Sequence, residues 1–375
     1  MKHQNTIFLA VVFFLLICCS KKTNDTSNVD LSAPVEKIDL EQVNNLLNEH
    51  VIINKYVKLE NIKKSYLAEV SKVVSANGFY YILDRKYSSL KLFKNDGRYI
   101  NDIGHIGQGP GEYLNADDFY VHNEKVYLLS NSSRLINIYD YKGKFEKSIP
   151  LHFFAFGMTN LEKDSAAFFV NYNTSEEFSN LLFTDKDIKV SKRYFPFVRN
   201  IPSFAYSGFL EKSENVLYSN PLSDSIFTIS KGRVFLSYIV DLGSNKCPEE
   251  IKADPIKLDK KIMDISYVGN PAMETKNHFI FQFVKNRLIR YCIYNKKSKN
   301  TFVNKVRVMI DTFSGPLGYR DNRIISVILT ENFLNSKNIE AYNYIKTKYP
   351  KLFQTLKSLD VTDNPVLVEF SVNSN

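Results

Sequence analysis

The sequence predicts an all-β fold: a six-bladed β-propeller of four-stranded antiparallel blades, with a short N-terminal helix and a helical insertion in the last blade. Three observations carry this. From Tyr56 onward the chain is a succession of short runs rich in Tyr, Phe, Ile, Val and Leu, broken by Asn, Asp, Gly, Ser and Lys. An internal repeat then aligns without a gap, its turn glycines Gly97 and Gly143 lying 46 positions apart. Dividing the patterned length by that period gives about six units of blade size.

The N-terminus comes first. A short polar start carrying Lys2 precedes an unbroken apolar run from Ile7 to Ile17. As a helix this run would rise about 16 Å, roughly half the hydrocarbon core of a bilayer. That length fits the apolar region of a secretory signal. Leu16-Ile17-Cys18-Cys19 followed by Ser20-Lys21-Lys22 resembles a bacterial lipobox. The expectation is a signal peptide over residues 1–18, a lipidated Cys19 and a flexible tether over residues 19–38, polar through Leu31. The folded part is then residues 39–375.

Asp39 to Glu49 places Leu40, Val43, Leu46 and Leu47 on one side of a short helix. After it, Tyr56 to Glu60 reads as the strand that closes the ring, which would leave no exposed sheet edge at the seam. Tyr80–Asp84 aligns with Val126–Ser130, Leu90–Phe93 with Ile136–Tyr139, and Asp96–Tyr99 with Lys142–Phe145. Each unit reads as strand, loop, strand, glycine turn, strand, with the glycine where a hairpin wants positive φ. Weaker copies run from Val216 to Arg233, from Phe279 to Lys299, and through Arg323–Leu329 with Pro365–Val372; a degenerate copy is expected over Ala166–Tyr194. Two stretches, Ser244–Ala272 and Glu331–Thr362, break the pattern. The second is helical over about 339–359, with Pro350 splitting it or kinking it.

The segment Gly104-His105-Ile106-Gly107-Gln108-Gly109-Pro110-Gly111-Glu112-Tyr113 resembles one found in the six-bladed, NHL-like β-propeller lipoproteins of Bacteroidetes-type bacteria. The match extends from Phe93, and the start at Tyr56 and the end at Asn364 are similar too. The resemblance implies a propeller and export; it supplies no catalytic residues. Surface display in that phylum is associated with acidic residues after the lipidated cysteine. Ser20-Lys21-Lys22 instead point to the periplasmic side of the outer membrane.

Chemistry is sparse. Gly104, Gly107, Gly109, Pro110, Gly111, Glu112 and Tyr113 lack the Gly-Lys-Ser/Thr ending of a phosphate loop and read as a structural inter-blade connection, open to ligand contact. Glu112 is placed to bond backbone amides of that loop. The histidines are scattered, so no metal and no cofactor are expected. Asp117-Asp118 reads as a solvated loop pair. No nucleophile motif is present, so no catalytic residue is assigned. Cys247 and Cys292 read as two separate buried thiols, with a disulfide between them the alternative that an exported compartment permits. The net charge of +9 is spread along the chain, and export argues against nucleic acid. These features describe a monomeric binding or scaffold lipoprotein of the cell envelope, its partner a protein or glycan. The alternative is an envelope enzyme acting on polysaccharide or peptidoglycan fragments at the channel mouth.

Overall fold

The computed structural model describes residues 27–40, 43–44, 51–162, 165–173, 177–200, 215–257, 265–285, 288–303, 315–335 and 339–373. The expected signal peptide and Cys19 lie outside the described residues.

Six blades form a ring. Blade 1 consists of Val70–Ala76, Phe79–Asp84, Ser89–Lys94 and Tyr99–Asp102, each strand antiparallel to the next. Blade 2 repeats this at Asp118–His122, Lys125–Ser130, Leu135–Asp140 and Phe145–Pro150. Blade 3 is Gly157–Asn160, Ala166–Phe169, Ser179–Thr184 and Val190–Pro196. Blade 4 holds Val216–Tyr218, Ser225–Ser230 and Arg233–Asp241. Blade 5 holds Tyr267–Glu274, His278–Lys285, Leu288–Asn295 and Thr301–Val303. Blade 6 is Gly318–Arg320, Arg323–Ile328 and Val366–Val372, completed by Val51–Lys58 from near the start of the chain. The closing strand therefore begins five residues before the Tyr56 expected for it.

Alternation along each strand explains why the blades stack. In Phe79–Asp84, Tyr80 and Ile82 join a core with blade 6, while Tyr81 and Leu83 join a core with blade 2. Each of the six seams holds its own apolar core built this way. The repeat also places Lys72 and Asp118 at matching positions of the first strands of blades 1 and 2. There they form an ion pair of 2.8 Å, both side chains buried, and Asp118 also accepts from the Met158 amide of blade 3 at 2.7 Å. Asp118 is thus no solvated loop residue. Asp117 accepts from the Asn131 amide and from Asn115 Nδ2 and is no solvated residue either. A loop reading from two adjacent acids missed the buried lysine one repeat earlier.

The glycine turns serve the stacking as well as the hairpin. Gly97 and Gly143 have φ of +92° and +96°. A Cβ at Gly97 would overlap the Lys58 carbonyl oxygen at the end of the preceding blade, and one at Gly143 would meet Ile103 and Asn101.

The N-terminal region departs from expectation. Ser27 N donates to Arg193 O on the outer strand of blade 3, and Asp30 N to Val234 O on blade 4. Glu36–Asp39 then pairs parallel with Tyr238–Asp241 as an added outer strand of blade 4. Val43–Asn44 pairs parallel with Thr301–Phe302 on blade 5. The tether expected to reach residue 38 gives way to bound chain from Ser27, and the helix expected over Asp39–Glu49 is contradicted at Asp39 and Val43–Asn44. Its remaining positions, apart from the described Leu40, lie outside the described residues. The physical reason is Ile38 and Leu40: both are buried in the seam between blades 4 and 5, a sheet-edge placement that helical spacing obscured. The described parts of residues 27–58 thus contact blades 3, 4, 5 and 6 in turn, as a belt.

The helical insertion joins the second and third strands of blade 6. It consists of Thr330–Leu334, Ile339–Lys348 and Pro350–Lys357, with Pro350 in the first turn of the last helix. Leu352, Phe353 and Leu356 are buried against the core between blades 5 and 6, where Phe333, Tyr342 and Phe353 pack ring to ring. The other insertion is shorter than expected, because blade 5 already begins at Tyr267.

Candidate functional site

The glycine-rich connection between blades 1 and 2 folds back on itself. His105–Ile106 and Glu112–Tyr113 form a two-stranded parallel ladder. Gly107 N donates to Tyr113 O at 3.0 Å, and Glu112 N to Gly109 O at 3.0 Å. The Glu112 carboxylate closes the loop: Oε2 accepts from Gly109 N at 2.7 Å and Oε1 lies 2.7 Å from His105 Nε2. The Gly109 amide, and then His105, hold the Glu112 carboxyl below its ordinary value of 4.5. A Cβ at Gly107 would overlap Glu112 Oε2, so the glycine there makes room for the carboxylate. Gly104 and Gly111 have φ of +64° and +77° and are crowded by Tyr139 and Phe145 of blade 2. Tyr139 Oη donates to Gly111 O at 2.8 Å, and Asn137 Nδ2 to Glu112 O at 2.9 Å. Tyr113 is fully buried, and burial pushes its hydroxyl pKa up. Pro110 follows Gly109 at the tip.

This loop forms one wall of an open cleft of about 400 Å³, to which it contributes His105, Ile106 and Tyr113. The other wall comes from two connections that the sequence did not mark: Lys63 and Tyr66 before blade 1, and Tyr87 and Ser88 between its second and third strands, with Ser89 at the start of the third. Both connections are held by one buried carboxylate. Asp84, fully buried, accepts from Ala68 N at 2.6 Å, Glu69 N at 3.3 Å and Tyr87 N at 3.0 Å. Asn364 braces the first segment from blade 6, accepting from Leu67 N at 2.8 Å. Tyr66 and Tyr87 consequently stand side by side, ring centroids 6.1 Å apart and tilted by 57°. They are 38% and 50% exposed, so both rings present a face to solvent.

Lys91 and Asp102 complete the lining. Lys91 Nζ donates to Asp102 Oδ1 at 3.0 Å and to Lys64 O at 2.9 Å, while Tyr99 Oη donates to the same Asp102 oxygen at 2.9 Å. Ser89 Oγ is buried and makes no hydrogen bond among the described residues. The cleft thus offers two aromatic faces, hydroxyls and an ammonium: groups that stack against and donate to a ligand. Among the described residues no three His, Cys, Asp or Glu side chains gather as metal ligands.

The only signal for this site in the sequence was the glycine-rich segment. Lys63, Tyr66, Tyr87 and Asp84 belong to no motif. What could have pointed to them is Asp84 itself, because the matching position of blade 2 is Ser130 and the repeat is broken there. Cys247 and Cys292 are free and buried, in separate apolar clusters. Burial pushes the Cys247 thiol up to about 12.

A family model described as "Domain of unknown function (DUF4934)" matches residues 36–371. No curated protein matches the chain in sequence. Among solved structures, the chain is similar to a Bacteroides fragilis protein named as a candidate exported protein. The two are 17% identical with a TM-score of 0.74, covering 91% of this chain and 100% of that one. It is also similar to a Bacteroides vulgatus member of the duf4221 family, 10% identical with a TM-score of 0.51, covering 88% of this chain and 100% of that one. At these identities the likeness is one of fold.

Proposed function

As this chain belongs to the DUF4934 family, we propose that it is an exported, lipid-anchored propeller that binds a glycan of the cell envelope in the cleft beside the glycine-rich loop. The observation that carries the binding reading is the Tyr66–Tyr87 pair, two exposed rings on connections whose backbone Asp84 pins, at the edge of a cleft with hydroxyls and Lys63. Sugar rings present flat C–H faces that stack on such tyrosines and hydroxyls that pair with the polar lining. The apolar run Ile7–Ile17 ending at Cys18-Cys19 supports export and lipidation at Cys19, with residues 1–18 removed. The name of the Bacteroides fragilis protein supports export too. Ser20-Lys21-Lys22 supports placement on the periplasmic side of the outer membrane.

Calorimetric titration with envelope oligosaccharides tests the cleft. Tyr66→Ala and Tyr87→Ala should each weaken binding about tenfold, in line with the 0.5–1.5 kcal/mol of an aromatic contact beyond its buried area. Unchanged affinity in the double variant would remove the cleft from the proposal. Cys19→Ala should move the protein from the membrane to the soluble fraction of cell extracts; continued membrane association would remove the anchor.

A further inference from the structure

The seam where the ring closes gathers more positive charge than its buried acid can use. Glu369 sits on Val366–Val372 with its side chain 2% exposed. Lys55 Nζ of the closing strand is 4.0 Å from it, Arg320 Nη1 3.7 Å and Arg323 Nη1 3.4 Å. Tyr80 Oη donates to Glu369 at 2.6 Å, and Lys55 Nζ donates to Tyr80 Oη at 2.8 Å and to Asn95 O at 3.2 Å. One carboxylate is neutralised by one cation, so three leave a surplus of two positive charges. Asp321 lies 3.3 Å from Arg320 Nε, but its side chain is 81% exposed and its charge is screened by water and salt.

The fold uses these cations only in part. Arg320 Nη1 also donates to Ser75 Oγ at 3.1 Å and Asn95 Oδ1 at 3.5 Å. Among the described residues Arg323 pairs only through Nη1, although a guanidinium carries five N–H donors. The side chains of Lys55, Arg320 and Arg323 are 35%, 32% and 44% exposed, so the three heads ring a buried anion while opening to solvent. Burial, and after it the two guanidiniums, hold Lys55 below its ordinary 10.5 although Glu369 opposes this. Three like charges here share one buried carboxylate and the exposed Asp321.

We propose that Lys55, Arg320 and Arg323 form an anion site that takes a phosphate group, free or carried as a monoester. A phosphate dianion matches the surplus of two charges, and its oxygens suit the paired donors of two guanidiniums and one ammonium. The site is separate from the cleft. Arg320 and Arg323 flank the Asp321–Asn322 turn between the first two strands of blade 6. The cleft is built from inter-blade connections and the turn between second and third strands, at the other end of the inner strands.

The test is calorimetric titration of the purified protein at pH 7.5 and constant ionic strength with sodium phosphate in one arm and glucose 6-phosphate in the other. Saturable binding is expected in at least one arm, and the tighter arm identifies free phosphate or monoester. Arg323→Gln should weaken it about tenfold, whereas Lys125→Gln, which removes an exposed ion pair with Glu146 elsewhere, should not. If Arg323→Gln does not fold, Arg323→Lys keeps the charge without the fork and should weaken binding severalfold. No saturation in either arm, or affinity unchanged in the folded Arg323 variant, overturns the proposal.

Discussion

Tyr80 Oη donates a 2.6 Å hydrogen bond to Glu369 Oε1 across the seam between blades 1 and 6, joining positions 289 residues apart in the chain. Both groups are buried, so the bond is sheltered from water and fixes the angle at which the ring meets itself. Tyr80→Phe keeps the ring in its apolar core and removes this donor together with the acceptor that Lys55 Nζ uses. It should cost about 1.5–3 kcal/mol, the range for a hydrogen bond to a charged group, measured by urea unfolding. A loss below about 0.5 kcal/mol would mean that the surrounding cations suffice for Glu369.

Two glycines separate backbone strain from crowding. Gly78 and Gly97 both lie at positive φ, +82° and +92°, but a Cβ at Gly78 meets nothing within 4 Å whereas one at Gly97 overlaps Lys58. Gly78→Ala should cost about 1–2 kcal/mol from conformation alone. Gly97→Ala should cost a further 1–3 kcal/mol or so, because the preceding blade must shift. Equal unfolding midpoints for the two variants would show that the contact between blades at Gly97 yields freely.

The Glu112 pin should respond to pH in a defined direction. Its folded pKa lies below 4.5, so the stability it contributes is present above the unfolded carboxylate value and is lost as pH falls through the folded one. Hydrogen exchange at Gly109 should therefore accelerate in acid below pH 4.5, beyond the intrinsic pH dependence of exchange. Glu112→Gln should exchange faster at neutral pH and lose that extra acid response. A wild-type loop whose protection is flat down to pH 2 would contradict the assignment.

Truncation tests the belt. A chain starting at residue 45 keeps the closing strand Val51–Lys58 but loses the strands on blades 4 and 5. Removing Ile38 alone uncovers a fully buried side chain, about 1.5–3 kcal/mol of burial. The truncated chain should melt lower and self-associate through the two uncovered edges in light scattering. A monodisperse chain with the parent midpoint would reduce the belt to a passive covering.

The blades were legible because Gly97 and Gly143 mark a repeat whose apolar residues alternate, and alternation directly reports which seam a side chain enters. The belt was not. Glu36–Asp39 is a single short, charged stretch, and nothing in its own composition names the strand it will pair with. The spacing of Leu40, Val43, Leu46 and Leu47 fits a helix, and it is the pairing of Asp39 with Asp241 and of Val43–Asn44 with Thr301–Phe302 that makes those positions strand. The cleft was half visible. Its glycine wall has a motif, but Tyr66 and Tyr87 acquire their meaning from the buried Asp84 between them. The cations around Glu369 arrive from separate strands and share no local pattern.

The pairing of Val51–Lys58 with Val366–Val372 sets an order on biogenesis. The ring's join needs Val366–Val372, which follows every other described strand in the chain, so a nascent chain carries blade 6 unfinished until that strand has emerged. Until then the apolar faces of blades 1 and 6 meet no partner, and the chain remains open to chaperones and to threading through a narrow pore. A stop before Val366 would therefore leave the ring open, because the lost strand is the one that pairs with Val51–Lys58.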